Sequence, residues 1–356
     1  MYRSVTAQTI HYLARAHAAV PTAPIASRAA WLGADLDLAG HRLSEAEVEE
    51  IDAALALAST QGKPLGQWTR RDFPLPKLGP RIAAWRRQLV DGTGVQLIRG
   101  LPVARWGQAD SERFFWALGL HLGQPGAQNG RGELLGHVTR LDAADAHDNR
   151  RQYQTDEAIA FHCDAADVVG LLCLRPAVTG GESRIASSVT IYNELLATRP
   201  DLAPLLFDRF WLDTRGDGFV RAVPVRPARY SNGVLRTFYH GGYFRSARRP
   251  SGGAALDAKH QELVDAYDEI ASRPEIRFNM ALAPGDVQLL SNHVVVHSRT
   301  GYVDAAEPDH RRHLLRLWLS LEREEGITER LRREHARLQL LGSLAITWGR
   351  ERIAGK

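Results

Sequence analysis

"AFHCDAADVVGLLCLRP", residues 160–176, is the stretch on which the reading of this chain turns. From Val168 to Leu174 it is an apolar run of strand length, closed by Pro176. Just before it stand His162 and Asp164, two residues apart. Residues i and i+2 of a strand project from one face. Read as a strand, the segment therefore sets an imidazole beside a carboxylate, with Cys163 on the other face. Asp interrupts strands more often than it builds them, so its presence asks for a reason, and one metal ion within reach of both groups supplies one. The pair alone is a weak signal, because a strand end with a solvated Asp gives the same pattern.

The surroundings point to a β architecture. From about residue 132, short strand-like pieces ("GELLGHVTRL", "ESRIAS", "FWLDTR", "GVLRTFYH", "RRHLLRLWLSL") alternate with Gly, Pro, Asn and Asp punctuation. Two helical insertions interrupt them: "SSVTIYNELLATRPDLAPLLF", capped by Ser187 or Ser188, and "ALDAKHQELVDAYDEIASRPE". The N-terminal quarter is helical. "LSEAEVEEIDAALALASTQG" opens with the Ser44/Glu47 capping box and stops at Gly62, and Ile82, Trp85 and Leu89 form one stripe of a second helix. A strand over 94–102 follows, then a helix over 110–123 started by Asp110 or Ser111. The fold class this predicts is mostly β with peripheral helices, around a closed or double-sheet core such as a jelly roll. The predicted organisation is an N-terminal arm and helical region over 1–93, a jelly-roll domain over 94–325 and a helical tail over 326–356.

Composition narrows the function classes. The 356 residues carry a net charge of +4, with 44% hydrophobic and 24% charged residues, as in an ordinary globular protein. The basic charge is mostly Arg, spread along the chain, and no nucleic-acid-binding motif accompanies it, so no nucleic-acid partner is expected. No run of about 20 apolar residues suggests a membrane span. Two cysteines, Cys163 and Cys173, do not make a disulfide framework. The first 34 residues lack acidic side chains but have no secretory core segment, and the expectation is a cytoplasmic protein with an N-terminal arm.

A third ligand would give the His162/Asp164 pair its meaning. "PGDVQLLSNHVVVHSRTGY", residues 284–302, offers His293 and His297, which share a strand parity. Four residues of strand span roughly 13 Å, so they cannot both bind one ion, and one is structural. Two imidazoles and one carboxylate occupy one face of an octahedral ion and leave the opposite positions open, the arrangement that suits non-haem Fe(II) oxygen chemistry. In "DHRRHLLRLWLSL", Arg312, Leu314, Arg316 and Trp318 then share one face. Two arginines within an apolar strand are expensive unless each meets an anion, and a planar guanidinium matches a carboxylate.

These motifs in this order ("HCD", "GGESRIASS", "SNHVVVHSRTGY", "RRHLLRLWL") resemble the Fe(II)- and 2-oxoglutarate-dependent dioxygenases of the TauD/TfdA-like family, over about 94–322. The resemblance implies a double-stranded β-helix core and an oxidoreductase that hydroxylates a small molecule, using O2 and releasing succinate and CO2. By residue, it implies His162, Asp164 and His297 as metal ligands, with His293 structural. Arg316, helped by Ser183, would bind the far carboxylate of 2-oxoglutarate. Arg312 would lie near the metal-proximal carboxylate or the substrate. The retained carboxylate, Asp164, excludes the halogenase variant. Substrate contacts are placed at Tyr153, Gln128, Arg299 and Asn292, with Asn129, Thr155, His240, Tyr243 and Arg245 in segments near the same mouth, the last three in a Gly-rich connection that could be a lid. The arginines favour an acidic substrate. A homo-oligomer stays open. Two other readings compete: a metal-dependent hydrolase or isomerase on a similar barrel, which would not need Arg316, and a non-catalytic ligand-binding barrel.

Overall fold

The structure is a computed structural model that describes residues 4–38, 41–140, 154–215, 220–248, 255–322 and 327–353. Tyr153 lies outside the described residues. Two facing sheets make the core. The larger runs in the order His41–Arg42, Val95–Arg99, Val287–Ser291, Val168–Arg175, His313–Ser320, Gln124–Gly126, with Leu135–Val138 also paired to His313–Ser320. Only its first pair is parallel. The smaller sheet is antiparallel, in the order Arg277–Met280, Ser183–Ser187, Val295–Arg299, Ile159–His162.

Strand alternation sorts the side chains into three apolar layers. Val95, Val169, Leu290 and Trp318 of the large sheet meet Ile185 and Val295 of the small one. Leu315, Leu317 and Leu319 point the other way, into a layer with the helices Glu45–Ser59, Gly79–Asp91 and Val103–Leu122. Phe161, Ala186 and Val296 back the small sheet against Ser188–Thr198 and Ala258–Ser272. Each fully buried Leu contributes roughly 1.5–3 kcal/mol. Gly170 lets the Phe115 ring approach the large sheet, since a Cβ there would lie 3.3 Å from it.

The helix starts follow the sequence. Ser44 and Glu47 form the reciprocal capping box, and Ser187 caps its helix by accepting from the Thr190 amide. Four expectations are corrected. Helices cover more of the described chain than strands do, so "mostly β" holds for the core alone. The helix expected from Asp110 or Ser111 belongs to a helical run, Val103–Leu122, broken at Gly107 by a positive φ of 68°. Residues 286–299 are two strands in different sheets, separated by a turn at Asn292–Val294, so His293 is a turn residue and shares no strand face with His297. The Gly-rich connection at 239–249 contains a helical turn, Gly241–Ser246.

Candidate active site

The site lies at one end of the small sheet. Ile159–His162 pairs with Val295–Arg299 so that His162 is the Cα partner of His297. Their rings lie 4.3 Å apart between centroids. The strand ends at His162, and Asp164 follows just beyond it. The carboxylate nevertheless turns back between the two rings: Oδ1 is 3.8 Å from His162 Nε2 and Oδ2 is 3.8 Å from His297 Nε2. One ligand atom from each of the three lies within 4.8 Å of the others.

The surroundings prepare these groups to ligate. His162 Nδ1 meets the Ala160 carbonyl at 2.9 Å, which makes that nitrogen the N–H donor and frees Nε2. Burial, then the neighbouring His162, lowers the His297 pKa to about 3, so its imidazole is neutral. Burial works to raise the Asp164 pKa, but Arg316 first and the two imidazoles next overcome it and hold the carboxyl below its ordinary value. Trp318 donates its indole N–H to Asp164 Oδ2 over 2.9 Å. Two imidazoles and an oriented carboxylate are a donor set that fits a first-row divalent ion.

A cavity opens over His162 and Asp164. Its walls include Gln128, Asn129, Asp213, His240, Tyr243 and Arg316. Arg316 donates from Nε to Gln128 Oε1 over 2.7 Å, and its guanidinium lies 5.4 Å from the Trp318 ring. Gln128 in turn donates to the Arg316 carbonyl over 2.8 Å, so it grips both ends of that residue. His240 stacks on Tyr243 with centroids 3.6 Å apart, and burial, then His162, pushes its pKa well below the ordinary value.

A second cationic cluster sits one step farther along the small sheet. Arg299 and Arg312 lie over the Tyr302 ring at 4.7 and 5.3 Å. Both are buried, and Arg299 Nε and Nη1 and Arg312 Nη1 find no hydrogen-bond partner among the described residues. Ser183 is the Cα partner of Arg299. Gly180 and Gly181 precede it with φ of 73° and 72°, and a Cβ on Gly181 would sit 3.2 Å from Arg312 Nε. The Gly-Gly motif thus carries a left-handed turn that lets the strand start pass close to Arg312. Ser183 Oγ accepts from Gln288 Nε2 over 2.9 Å.

The remaining expected residues take other positions. Asn292 does not reach the cavity. It is fully buried, its Oδ1 accepts from the Asp164 amide over 3.1 Å, and its Nδ2 donates to the Ala166 carbonyl over 3.0 Å. Arg299 donates to the carbonyls of Thr155 and Glu157 and fastens the approach to the His162 strand. Arg245 pairs with Asp265 and Asp268. His293 bonds Asp167 over 2.8 Å and stacks on Tyr12, away from the trio. The sequence reading missed Asp167, which His11, Arg15, His293 and the Leu321 amide all contact. An Asp at the head of an apolar strand was its signal. Trp318 was placed on the right face without a partner.

The chain matches the family described as Taurine catabolism dioxygenase TauD, TfdA family over residues 61–318. It belongs to that family. This dioxygenase is an oxidoreductase that uses iron and 2-oxoglutarate. It is 35% identical to FR-33289 synthase of Streptomyces rubellomurinus over 314 residues, 84% of this chain and 91% of that one. It is 31% identical to the taurine hydroxylase-like protein SAT17 of Stachybotrys chartarum over 297 residues, 77% of this chain and 73% of that one. Among solved structures, the dioxygenase resembles an asparagine oxygenase in complex with Fe(II), 2S,3S-3-hydroxyasparagine and succinate, with TM-score 0.62, 18% identity and coverage of 79% of this chain and 93% of that one. It also resembles the non-haem iron oxygenase OrfP in complex with Fe and alpha-ketoglutaric acid, with TM-score 0.59, 17% identity and coverage of 80% and 94%.

Proposed function

We propose that this dioxygenase, on a jelly-roll core, hydroxylates a C–H bond of a small acidic molecule in the cytoplasm. The observation that carries the reading is the convergence of His162, Asp164 and His297 at a cavity lined by His162, Asp164 and Arg316. His162 Nε2, His297 Nε2 and the Asp164 carboxylate would hold the iron. Iron and 2-oxoglutarate, when bound, supply the oxidation, with O2 consumed and 2-oxoglutarate converted to succinate and CO2. The chain's own part is to orient and to exclude water. Trp318 and the Asn292–Asp164 bond fix the carboxylate, and the Ala160 carbonyl fixes the His162 tautomer.

For the far carboxylate of 2-oxoglutarate we favour Arg312 with Ser183, in place of the Arg316–Ser183 pairing expected from the sequence. The buried guanidinium nitrogens of Arg299 and Arg312 call for an anion. Arg299 is two strand residues, about 7 Å, from His297, a span that suits the length of a five-carbon diacid. Arg316, beside Asp164 and in the cavity wall, is left to meet an anionic group of the substrate or the metal-proximal carboxylate. The test is to supply Fe(II), 2-oxoglutarate and O2 with a panel of small acids and read succinate together with product mass. A panel member that accelerates succinate formation and gains one oxygen atom supports the reading. Succinate formation that stays absent with iron bound refutes it.

A further inference from the structure

We infer that the N-terminal helix Val5–Leu13 is a wall of the substrate cavity, with Val5 and Thr9 shaping the space over the metal site and a latch on Asp167 holding the wall shut. The inference rests on the proposed iron and 2-oxoglutarate chemistry for its readout, and concerns residues that precede the family match at 61–318. Ser4 caps the helix through the Ala7 amide. Val5 and Thr9, four apart and so on one face, line the same cavity as His162, Asp164 and Arg316.

The opposite contacts of the helix reach deep into the core. Gln8 is fully buried, and its Oε1 accepts from Ser320 over 2.9 Å. The Tyr12 hydroxyl lies 2.7 Å from the Thr237 carbonyl and 2.8 Å from the Asn292 carbonyl. His11 meets Asp167 at 3.0 Å, and Arg15, just past the helix, pairs with the other oxygen of the same carboxylate. Asn292 is also the residue that bonds the Asp164 amide. The wall is therefore tied, through Tyr12 and Asn292 and through Asp167, to the short segment that carries the metal carboxylate. An exposed surface helix has no need of a buried ionic anchor. This helix has one on Asp167, while its Val5 and Thr9 line the cavity.

Two variants of the full chain, loaded with Fe(II) and 2-oxoglutarate without O2, should move one observable in opposite directions. The observable is the rate at which a ferrous chelator strips the iron, and no substrate is needed. Arg15→Gln removes the charged half of the latch and should speed stripping at least fivefold. Thr9→Trp narrows the cavity and should slow it by a similar factor. The visible band of iron-chelated 2-oxoglutarate should persist in both. If the band forms and both variants release iron at the rate of the unmodified protein, the wall is overturned while the cosubstrate reading stands. If the unmodified protein forms no band, it is the cosubstrate reading that fails. Should Arg15→Gln not fold, a Thr9→Trp protein with unslowed stripping overturns the wall by itself.

Discussion

Trp318 and Asp164 lie 154 residues apart in sequence, and the indole N–H of one donates to the carboxylate of the other over 2.9 Å. The bond crosses from the large sheet to the edge of the small one. It leaves Oδ1, 3.8 Å from His162 Nε2, as the oxygen without the indole. Partners of this kind, one step behind the ligand, typically change metal affinity 10–100-fold when lost. Trp318→Phe keeps the ring and removes the donor. Its Fe(II) affinity, measured by anaerobic titration, should fall by about that factor, with little change in melting temperature.

The two histidines of "SNHVVVHS" should separate cleanly. His297→Ala removes a group from the trio and should abolish stoichiometric Fe(II) binding while the protein still unfolds cooperatively. His293→Ala removes the Asp167 partner that stacks on Tyr12. It should keep iron binding and lose about 2–4 kcal/mol of stability. Denaturant unfolding and metal titration of both variants provide the comparison, and equal mild effects would refute the assignment.

The proposed division gives Arg312 the far carboxylate of 2-oxoglutarate and Arg316 an anionic group nearer the metal. Arg312→Ala should raise the 2-oxoglutarate concentration needed for half-saturation by tenfold or more and leave iron in place. Arg316→Ala should lower the efficiency toward substrate more than it affects cosubstrate binding. A reversal of the two effects would return the far carboxylate to Arg316.

Asp167 gives the acid side of the stability profile. Burial opposes its ionisation, but Arg15, then His11 and His293, hold the carboxyl well below its ordinary value. A lowered folded pKa contributes stability that is fully present above the unfolded value near 4 and is lost as pH falls through the folded value. Asp167→Asn leaves the Arg15 side chain, 11% exposed, beside a neutral amide and should cost about 3–5 kcal/mol at neutral pH. The deficit should shrink as pH falls below about 4. Denaturant midpoints of the two proteins between pH 7 and pH 3 measure it, and a deficit independent of pH would show that the charge is not what matters.

The residues that the sequence made legible are those whose spacing has one meaning. His162 and Asp164 were readable as a pair from their two-residue offset, although the strand ends at His162 and the chain beyond it, not strand alternation, returns the carboxylate to the imidazoles. Arg316 and Trp318 were readable because eight alternating residues leave no doubt about the face. The stretch 286–299 misled because apolar strands on both sides of "SNH" form one nearly unbroken run, although the polar Ser291–Asn292–His293 step marks where the chain changes sheets. Asn292 looked like a cavity residue and proved a buried brace, because its partner is a backbone amide 128 residues away. The place of the N-terminal helix was illegible for the same reason. His11 and Arg15 acquire their meaning only from Asp167, 156 and 152 residues on. Contacts set by tertiary closure leave no local period to read.

His162, Asp164 and His297 would hold iron in a geometry that leaves room for 2-oxoglutarate. Metal-free protein mixed anaerobically with Fe(II) and 2-oxoglutarate tests it without any substrate. A weak visible charge-transfer band should appear, saturate at one iron per chain, be absent in Asp164→Ala, and in Arg312→Ala form only at higher 2-oxoglutarate. Tight iron binding with no band at saturating 2-oxoglutarate would contradict it.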